Sequence, residues 1–139
     1  MEKFTLGFIF NTDQTKVLLI HKLKPDWQSG KINGIGGKIE LDESAEDCIT
    51  RECREESSLL IEPPEWVKFA LLEQTEGNVA VFTARFLGDM STAVKNDHED
   101  IEWFDVSGLP ENVLSNLIWL IPMAKQILNG GKFTVKISY

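Results

Sequence analysis

Three glutamates that one helical face would bring together are the residues of this chain best suited to chemistry. Glu52, Glu55 and Glu56 lie in the charged run that begins at Arg51. At about 100° per residue, Glu56 lies about 40° from Glu52 on a helix, and Glu55 lies about 60° away on the other side. Carboxylates crowded in this way destabilise a helix unless a cation lies against them. A divalent metal fits this need, because magnesium and manganese take oxygen ligands and magnesium often joins carboxylates to substrate phosphates.

The helix that carries these glutamates is predicted to run from about Ser44 to Ser57. Ser44 is a suitable N-cap, and Asp47 three residues later is a weak capping partner. An adjoining apolar stripe can dock the helix on a core; its members are Ala45, Ile49, Cys53 and Leu60. For three carboxylates taken alone, a solvated helix surface is the more common outcome, so their wider context decides.

The glutamates belong to a longer pattern of fixed spacing. Gly37 is followed after five residues by Glu43, which is followed after seven more by the run from Arg51 to Glu56. This pattern resembles the signature box of the Nudix hydrolases, enzymes that cleave a nucleoside diphosphate linked to another group. Two positions differ from the family's pattern: Cys53 replaces a bulky apolar residue and Ser58 replaces a glycine. Ser58 can end the helix in the left-handed conformation at a cost of roughly 1 kcal/mol, unless the helix ends in another way.

The resemblance implies a role for each residue of this box. Glu52, Glu55 and Glu56, with the carbonyl oxygen of Gly37, would hold one or more magnesium ions, or manganese in their place. The ions would neutralise charge on the phosphate oxygens while an activated water attacks a bridging phosphorus. Arg51 would orient the glutamates through charge-assisted hydrogen bonds.

Three further positions take supporting roles in the same interpretation. Glu43 would tether the loop to the helix behind the metal ligands, and Lys38 could approach a phosphate as a point charge. The general base stays open among Glu55, Glu56 and an acidic residue of a loop further along the chain. Glu99 is the preferred residue of that loop, both as base and as metal ligand; a solvated run of charges is the alternative.

Outside the box, the chain looks like the branch of the family that hydrolyses oxidised purine nucleoside triphosphates. The similarity lies in the segments 33–38 and 102–105 and in the order of helix, Gly-Gly and aromatic-rich final strand. In that branch the asparagine before the glycine run contacts the purine, so Asn33 inherits a base-recognition role. A turn residue ahead of a glycine is the equally weighted alternative. A second base-reading position falls near Asn116, whose amide can both donate and accept.

The remaining pattern predicts an α/β fold in a single domain, residues 1–139. Alternating or continuous apolar runs indicate strands at 4–10, 16–21, 66–74, 79–86, 101–104 and 133–139. A second helix is expected near 117–128, before an Asn-Gly-Gly stop. These elements fit an α/β/α sandwich around a mixed β-sheet, the fold that the resemblance implies.

Composition narrows the partners and the compartment. A formal net charge of −8 argues against nucleic-acid binding through a basic surface and leaves a small nucleotide as the expected ligand. Cys48 and Cys53 lie about 140° apart on the predicted helix, so they cannot pair, which favours a reducing, cytoplasmic setting. No basic-then-apolar leader and no apolar run of about 18 residues is present, so no membrane association is expected. The oligomeric state is left open.

Three functions fit the sequence. The first is a magnesium-dependent pyrophosphohydrolase of purine nucleoside triphosphates, which releases a monophosphate and pyrophosphate. The second is a Nudix pyrophosphatase for ADP-ribose, a dinucleoside polyphosphate or a nucleotide sugar. Members acting on the first two often carry a downstream proline or tyrosine, which residues 73–77 do not supply. The third is a nucleotide-sensing module without turnover, against which the intact Arg51-Glu52 and Glu55-Glu56 pairs argue.

Overall fold

A mixed sheet of seven strands with one α-helix on each face forms the protein. The computed structural model describes residues 2–139. The elements are β1 (Glu2–Phe10), β2 (Lys16–His21), β3 (Ile32–Asn33), α1 (Ala45–Ser57), β4 (Val67–Glu73), β5 (Asn78–Arg85), β6 (Ile101–Asp105), α2 (Leu117–Leu128) and β7 (Val135–Ser138). The strand order is β3-β2-β1-β5-β4-β7, and β6 also pairs with β2. The pairs β1–β5 and β4–β7 are parallel and the others antiparallel, so the predicted sandwich around a mixed sheet is confirmed.

Two apolar cores lie on opposite faces of this sheet. Successive side chains of a strand point to opposite faces, and the central strand β1 is buried on both. Phe8 and Phe10 belong to the core that packs against α2, whereas Ile9 belongs to the core that packs against α1. On the α1 side the helix contributes Ile49 and Cys53, both fully buried. The position of α1 on the sheet therefore follows from its own apolar stripe.

Helix α1 begins and ends as the sequence predicts. The hydroxyl of Ser44 accepts a hydrogen bond from the Asp47 backbone N–H at 3.0 Å. Ser58 adopts the left-handed conformation, with φ of 67°, and its N–H donates to the carbonyl of Arg54. Serine thus ends the helix where the family has glycine, at a cost of roughly 1 kcal/mol.

Leu60 departs from the sequence prediction for α1 and its surroundings, whereas the two cysteines agree with it. Leu60 was expected in the docking stripe, but it is 55% exposed. The helix has already ended at Ser57, so helical periodicity no longer applies, and Leu59 and Ile61 enter the core instead. The cysteines are free and buried as expected. Burial raises the pKa of Cys48 to about 11 and that of Cys53 to about 12, so both stay protonated at neutral pH.

The short strand β3 and the segment after it depart from the predicted pattern. β3 contains only two residues, too few for a periodic signal, and pairs with Ile20 and His21 of β2. The following residues then run beside β1 through isolated bridges of Ile35 to Gly7 and of Lys38 to Phe4. The glycine-rich stretch is thereby attached to the centre of the sheet. Within residues 2–139, no helix has the length and apolarity required to cross a membrane.

Candidate active site

The backbone of residues 34–37, here called the glycine segment, lies between β1 and α1. Ile35 exchanges two backbone hydrogen bonds with Gly7, at 2.5 and 3.0 Å, and Gly37 O accepts from Thr5 N at 2.8 Å. A Cβ atom at Gly36 would lie 2.0 Å from the Thr5 carbonyl oxygen, and one at Gly37 would lie 2.5 Å from a Glu52 carboxylate oxygen. Glycine is therefore required at Gly36, where the obstacle is backbone, whereas a side chain in place of Gly37 would displace the Glu52 carboxylate.

Glu52 and Glu56 are the two carboxylates that α1 buries beside the glycine segment. Glu56 is 7% exposed, and its Oε1 accepts from Gly36 N at 3.0 Å. Burial, helped by the charge of Glu52, raises the pKa of Glu56 to about 8. Burial also raises the pKa of Glu52, although the hydrogen bond from Arg51 offsets part of that effect. A buried and a partly buried carboxylate whose pKa values are both raised form a site that an added cation would stabilise.

Glu55 faces a different direction from this pair. Its side chain is 54% exposed, and its carboxylate oxygens lie 3.3 and 3.4 Å from Arg51 Nη1. The structure therefore places two of the three predicted metal ligands of α1 together and the third on the outer side of Arg51.

Arg51 is the hub of the charged cluster. Its Nε and Nη2 donate to the two oxygens of Glu43 at 2.7 and 3.0 Å, and its Nη1 donates to Glu52 at 2.7 Å. Nη2 also donates to the carbonyl of Lys38. The hydrogen bonds from Arg51 lower the pKa of Glu43 to about 2. The loop after the glycine segment is thus joined to α1 by a bidentate ion pair between Glu43 and Arg51.

Glu99 is held by Lys22 and by two backbone N–H groups. Its Oε1 accepts from Lys22 Nζ at 3.0 Å, and its Oε2 accepts from the backbone N–H of Leu23 and of Lys24 at 2.6 and 3.2 Å. Burial alone would raise the pKa of Glu99, but the hydrogen bonds from Leu23 N–H and Lys22 outweigh it and lower that pKa. The charge of Glu99 makes a small contribution to the raised pKa of Glu56.

The donors present fit a hard divalent cation that completes its coordination with substrate and water. Among residues 2–139, no three side chains of histidine, cysteine, aspartate or glutamate converge closely enough to enclose a metal. Glu52 and Glu56 supply two carboxylates, whereas the Gly37 carbonyl already accepts from Thr5 N at 2.8 Å and from Thr5 Oγ1 at 3.4 Å. Magnesium commonly binds to one or two carboxylates plus substrate phosphates. The set therefore suits magnesium or manganese better than a metal held by protein ligands alone.

A cavity of about 300 Å³ adjoins the glycine segment. Lys22 and Lys38 border it together with Gly36 and Gly37. Its apolar lining comes from Phe4, Leu6, Leu72, Leu114 and Val79. Asn33 and Asn116 add two amides to the same lining, so both predicted base-reading residues lie on one cavity.

The two amides have different partners. Asn33 Oδ1 accepts from Gly34 N at 2.8 Å, the local contact of a turn residue, and its Nδ2 donates to Gln28 at 3.1 Å. Asn116 Nδ2 donates to the Tyr139 hydroxyl at 3.0 Å, while its Oδ1 is buried without a hydrogen-bond partner. The Oδ1 of Asn116 is therefore an unused hydrogen-bond acceptor beside the cavity. Leaving a buried acceptor unpaired costs free energy, which a ligand that donates to it would recover.

Several residues of this region were not singled out from the sequence. Lys22, Trp27 and Gln28 line the cavity, and Tyr139 borders an open groove of about 510 Å³ that adjoins it. Trp27 is 62% exposed. A tryptophan in a polar loop is the one sequence signal that could have indicated a binding site here. The others reach the site through tertiary contacts that no local spacing indicates.

The fold is that of an α/β/α protein whose helix α1 places Glu56 against Gly36, a residue that lines the cavity. A family model described as the NUDIX domain matches residues 4–120, and the chain belongs to the Nudix family. The expected class, a Nudix hydrolase, is thereby confirmed.

Individual relatives point to different substrates. The chain is 29% identical over 125 residues to an oxidized purine nucleoside triphosphate hydrolase of Danio rerio. The aligned region covers 84% of this chain and 78% of the relative. The chain is also 29% identical over 86 residues to the NAD-capped RNA hydrolase NudC of Stutzerimonas stutzeri, covering 62% of this chain but only 31% of that protein. The crystal structure of an ADP-ribose pyrophosphatase from Streptococcus suis superposes with a TM-score of 0.73 over 99% of both chains, at 20% identity. That structural likeness shows the fold alone.

Proposed function

We propose that this protein is a divalent-metal-dependent pyrophosphohydrolase of purine nucleoside triphosphates, normal or oxidised, which releases a nucleoside monophosphate and pyrophosphate. The observation that carries the proposal is the cavity of about 300 Å³, which joins the glycine segment to the amides of Asn33 and Asn116. Small-molecule sites span about 300–1,000 Å³, so the volume suits one nucleoside better than two. The 125-residue similarity to an oxidized purine nucleoside triphosphate hydrolase supports the same substrate class.

The charged residues in and near the cavity would have different roles in binding the phosphates. Glu52 and Glu56 would hold the cation, and Arg51 fixes Glu52 through the 2.7 Å hydrogen bond. The bound cation supplies neutralisation of the phosphoryl oxygens and a lowered pKa for the attacking water. Lys22 and Lys38 border the cavity and can contact phosphate oxygens as point charges.

Glu99 remains the proposed base and additional metal ligand. The side chain of Glu99 is 13% exposed, whereas that of Glu55 is 54% exposed and turned toward Arg51. Glu99 must exchange Lys22 for the incoming cation or water, and a triphosphate that attracts Lys22 would release it. At saturating metal, Glu99→Gln should therefore lower kcat far more than Glu55→Gln does. The opposite result would transfer the base to Glu55, and a small effect of both substitutions would leave Glu56 as the base.

The bond that is cleaved tests the proposed reaction. Purine deoxynucleoside triphosphates, magnesium and ¹⁸O-labelled water should give nucleoside monophosphate and pyrophosphate, with label in one product only. Attack is expected at a phosphorus that bridges the nucleoside to its leaving group, because the glutamates lie against the glycine segment at the cavity. Inorganic phosphate plus nucleoside diphosphate would contradict the proposal. Glu56→Gln serves as the inactive control.

A second candidate is a dinucleotide pyrophosphatase, which the similarity to NAD-capped RNA hydrolases favours. The chain spans only 31% of that relative's length, so the similarity concerns the shared domain. The same labelled-water assay with NADH, ADP-ribose and diadenosine polyphosphates separates the candidates. A kcat/KM for any of these at least tenfold above that for every purine triphosphate would replace the first proposal. Saturable binding of nucleotides with no turnover of any would favour the sensing module.

A further inference from the structure

The side-chain amide of Asn33 is held in one orientation by two partners of different kind. Gly34 N donates to its Oδ1 at 2.8 Å, and its Nδ2 donates to Gln28 Oε1 at 3.1 Å. Because a backbone N–H can only donate, the oxygen of Asn33 must face Gly34 and the nitrogen must face Gln28. One N–H of Asn33 Nδ2 is then left for the cavity that both side chains line.

Gln28 reaches Asn33 from a separate segment. It ends the short 3-10 helix Asp26–Gln28, whose residues include none that are buried. Its backbone is fixed within this loop, since Gln28 N donates to Pro25 O and its carbonyl accepts from Lys31 N, both at 2.8 Å. Gln28 is therefore not part of the core. The side chain of Gln28 instead contacts Asn33, which lines the cavity.

We propose that Gln28 is a positioning residue that acts through Asn33 to select the base. Its carbonyl oxygen keeps the Asn33 nitrogen turned so that the cavity offers a hydrogen-bond donor at this point. The preferred ligand is then a purine whose edge presents an acceptor there, a ring nitrogen or a carbonyl oxygen. The inference deepens the proposed function and rests on it, because it assumes that a purine nucleotide enters this cavity.

Two substitutions separate the hydrogen bond from the bulk of the side chain. Gln28→Met keeps the length and removes the acceptor, whereas Gln28→Glu keeps an acceptor for Asn33 Nδ2. Gln28→Met should lower the purine-to-pyrimidine ratio of kcat/KM by about threefold to tenfold, the range of one hydrogen bond, mainly through KM. Gln28→Glu should retain the ratio, since any repulsion of phosphates by its charge affects all nucleotides alike. Ser29→Ala, at an exposed neighbour in the same loop, is the matched control and should change nothing.

A double-mutant cycle decides whether Gln28 acts through Asn33. If it does, Gln28→Met should have no further effect on the purine-to-pyrimidine ratio in an Asn33→Ala background. Full additivity of the two substitutions would overturn the proposal, because Gln28 would then contact the base itself or shape the loop. Loss of the ratio in Gln28→Glu to the level of Gln28→Met would overturn it as well.

The same cycle can be measured without catalysis. Dissociation constants of purine and pyrimidine nucleoside monophosphates should show the same coupling between Gln28 and Asn33 as the kinetics. If the wild type binds monophosphates with this coupling but hydrolyses no triphosphate, the proposed function fails and the role of Gln28 stands. If triphosphates are hydrolysed and the coupling is absent, only the role of Gln28 fails. Monophosphate binding without purine preference would also overturn it.

Discussion

Glu56 shows how one residue can be unfavourable for the fold and still required by the site. Its carboxyl is 7% exposed and has one backbone donor, Gly36 N. Burial raises its pKa to about 8, well above the ordinary value of 4.5. A buried polar network that is only partly satisfied is expected where a ligand completes it. The missing interaction at Glu56 is positive charge, which the proposed cation would supply.

Glu56→Gln should therefore stabilise the metal-free protein while inactivating the enzyme. Because the folded pKa lies above the unfolded one, the wild type loses stability as pH rises from about 4.5 to about 8. Glutamine carries no charge and keeps an oxygen for Gly36 N, so the variant should lack this loss. Above pH 8 in EDTA, its free energy of unfolding should exceed that of the wild type by on the order of a few kcal/mol. Denaturant unfolding at pH 5 and pH 8.5 measures it.

The control and the kinetic counterpart use the same variant. Glu55→Gln, at an exposed glutamate of the same helix, should leave the pH dependence of stability close to that of the wild type. With magnesium, Glu56→Gln should lose roughly a hundredfold or more in kcat, because a cation ligand contributes several kcal/mol of transition-state stabilisation. A variant with most of the wild-type activity would remove Glu56 from the metal site.

At the scale of elements, the end of α1 combines a strained backbone with a compensating contact. Ser58 is left-handed at φ 67°, and its hydroxyl donates to Val94 O at 3.1 Å. The left-handed conformation disfavours any residue with a Cβ atom, whereas the hydroxyl contact favours serine over glycine. The family's glycine and this chain's serine are thus two solutions for the same turn.

Two substitutions at Ser58 separate these terms. Ser58→Ala removes the hydroxyl contact and keeps the backbone cost, so it should lower the free energy of unfolding. Ser58→Gly removes both, so it should be more stable than Ser58→Ala by roughly 1 kcal/mol. Neither should change kcat, because Ser58 contacts none of the glutamates through its side chain. Equal stabilities of the two variants would mean that the left-handed turn carries no cost here.

At the scale of the whole molecule, the net charge of −8 and the glutamates of the proposed cation site both lower the free energy of unfolding when no metal is bound. Like charges disfavour the compact state, and the two buried glutamates add to this cost. A ligand that binds only the folded state stabilises it by about 2.7 kcal/mol at a concentration of 100 Kd. Metal binding should therefore appear as a gain in stability of the entire domain.

Magnesium or manganese should raise the melting temperature of the wild type at pH 8, and the increase should grow with metal concentration. Glu52→Gln combined with Glu56→Gln should abolish the increase, whereas Asp97→Asn in the exposed loop should retain it. Calorimetry with sodium chloride at matched ionic strength controls for screening of the surface charges. An equal increase in the double variant would place the cation elsewhere.

The sequence predicted the arrangement of residues within one helix or strand better than the structure beyond the ends of these elements. The spacing from Gly37 through Glu43 to Glu56 predicted α1, its N-cap and the family, because a helix converts fixed intervals along the chain into a fixed geometry. The apolar patterns likewise predicted most of the strands, and the resemblance to the family implied the mixed sheet. Leu60 was misplaced and the two-residue β3 was missed, because periodicity does not extend past a helix end and cannot emerge from two residues.

Only the tertiary structure decided how the site is assembled. It turned Glu55 outward along Arg51, joined Glu99 to Lys22, and left Asn116 with an unpaired oxygen beside the cavity. It also brought Gln28 to Asn33 from a neighbouring loop. Each of these relations depends on side-chain direction or on contacts between segments joined by no repeating geometry. The sequence by itself therefore determined the chemical groups and their helix, and packing determined which of them meet.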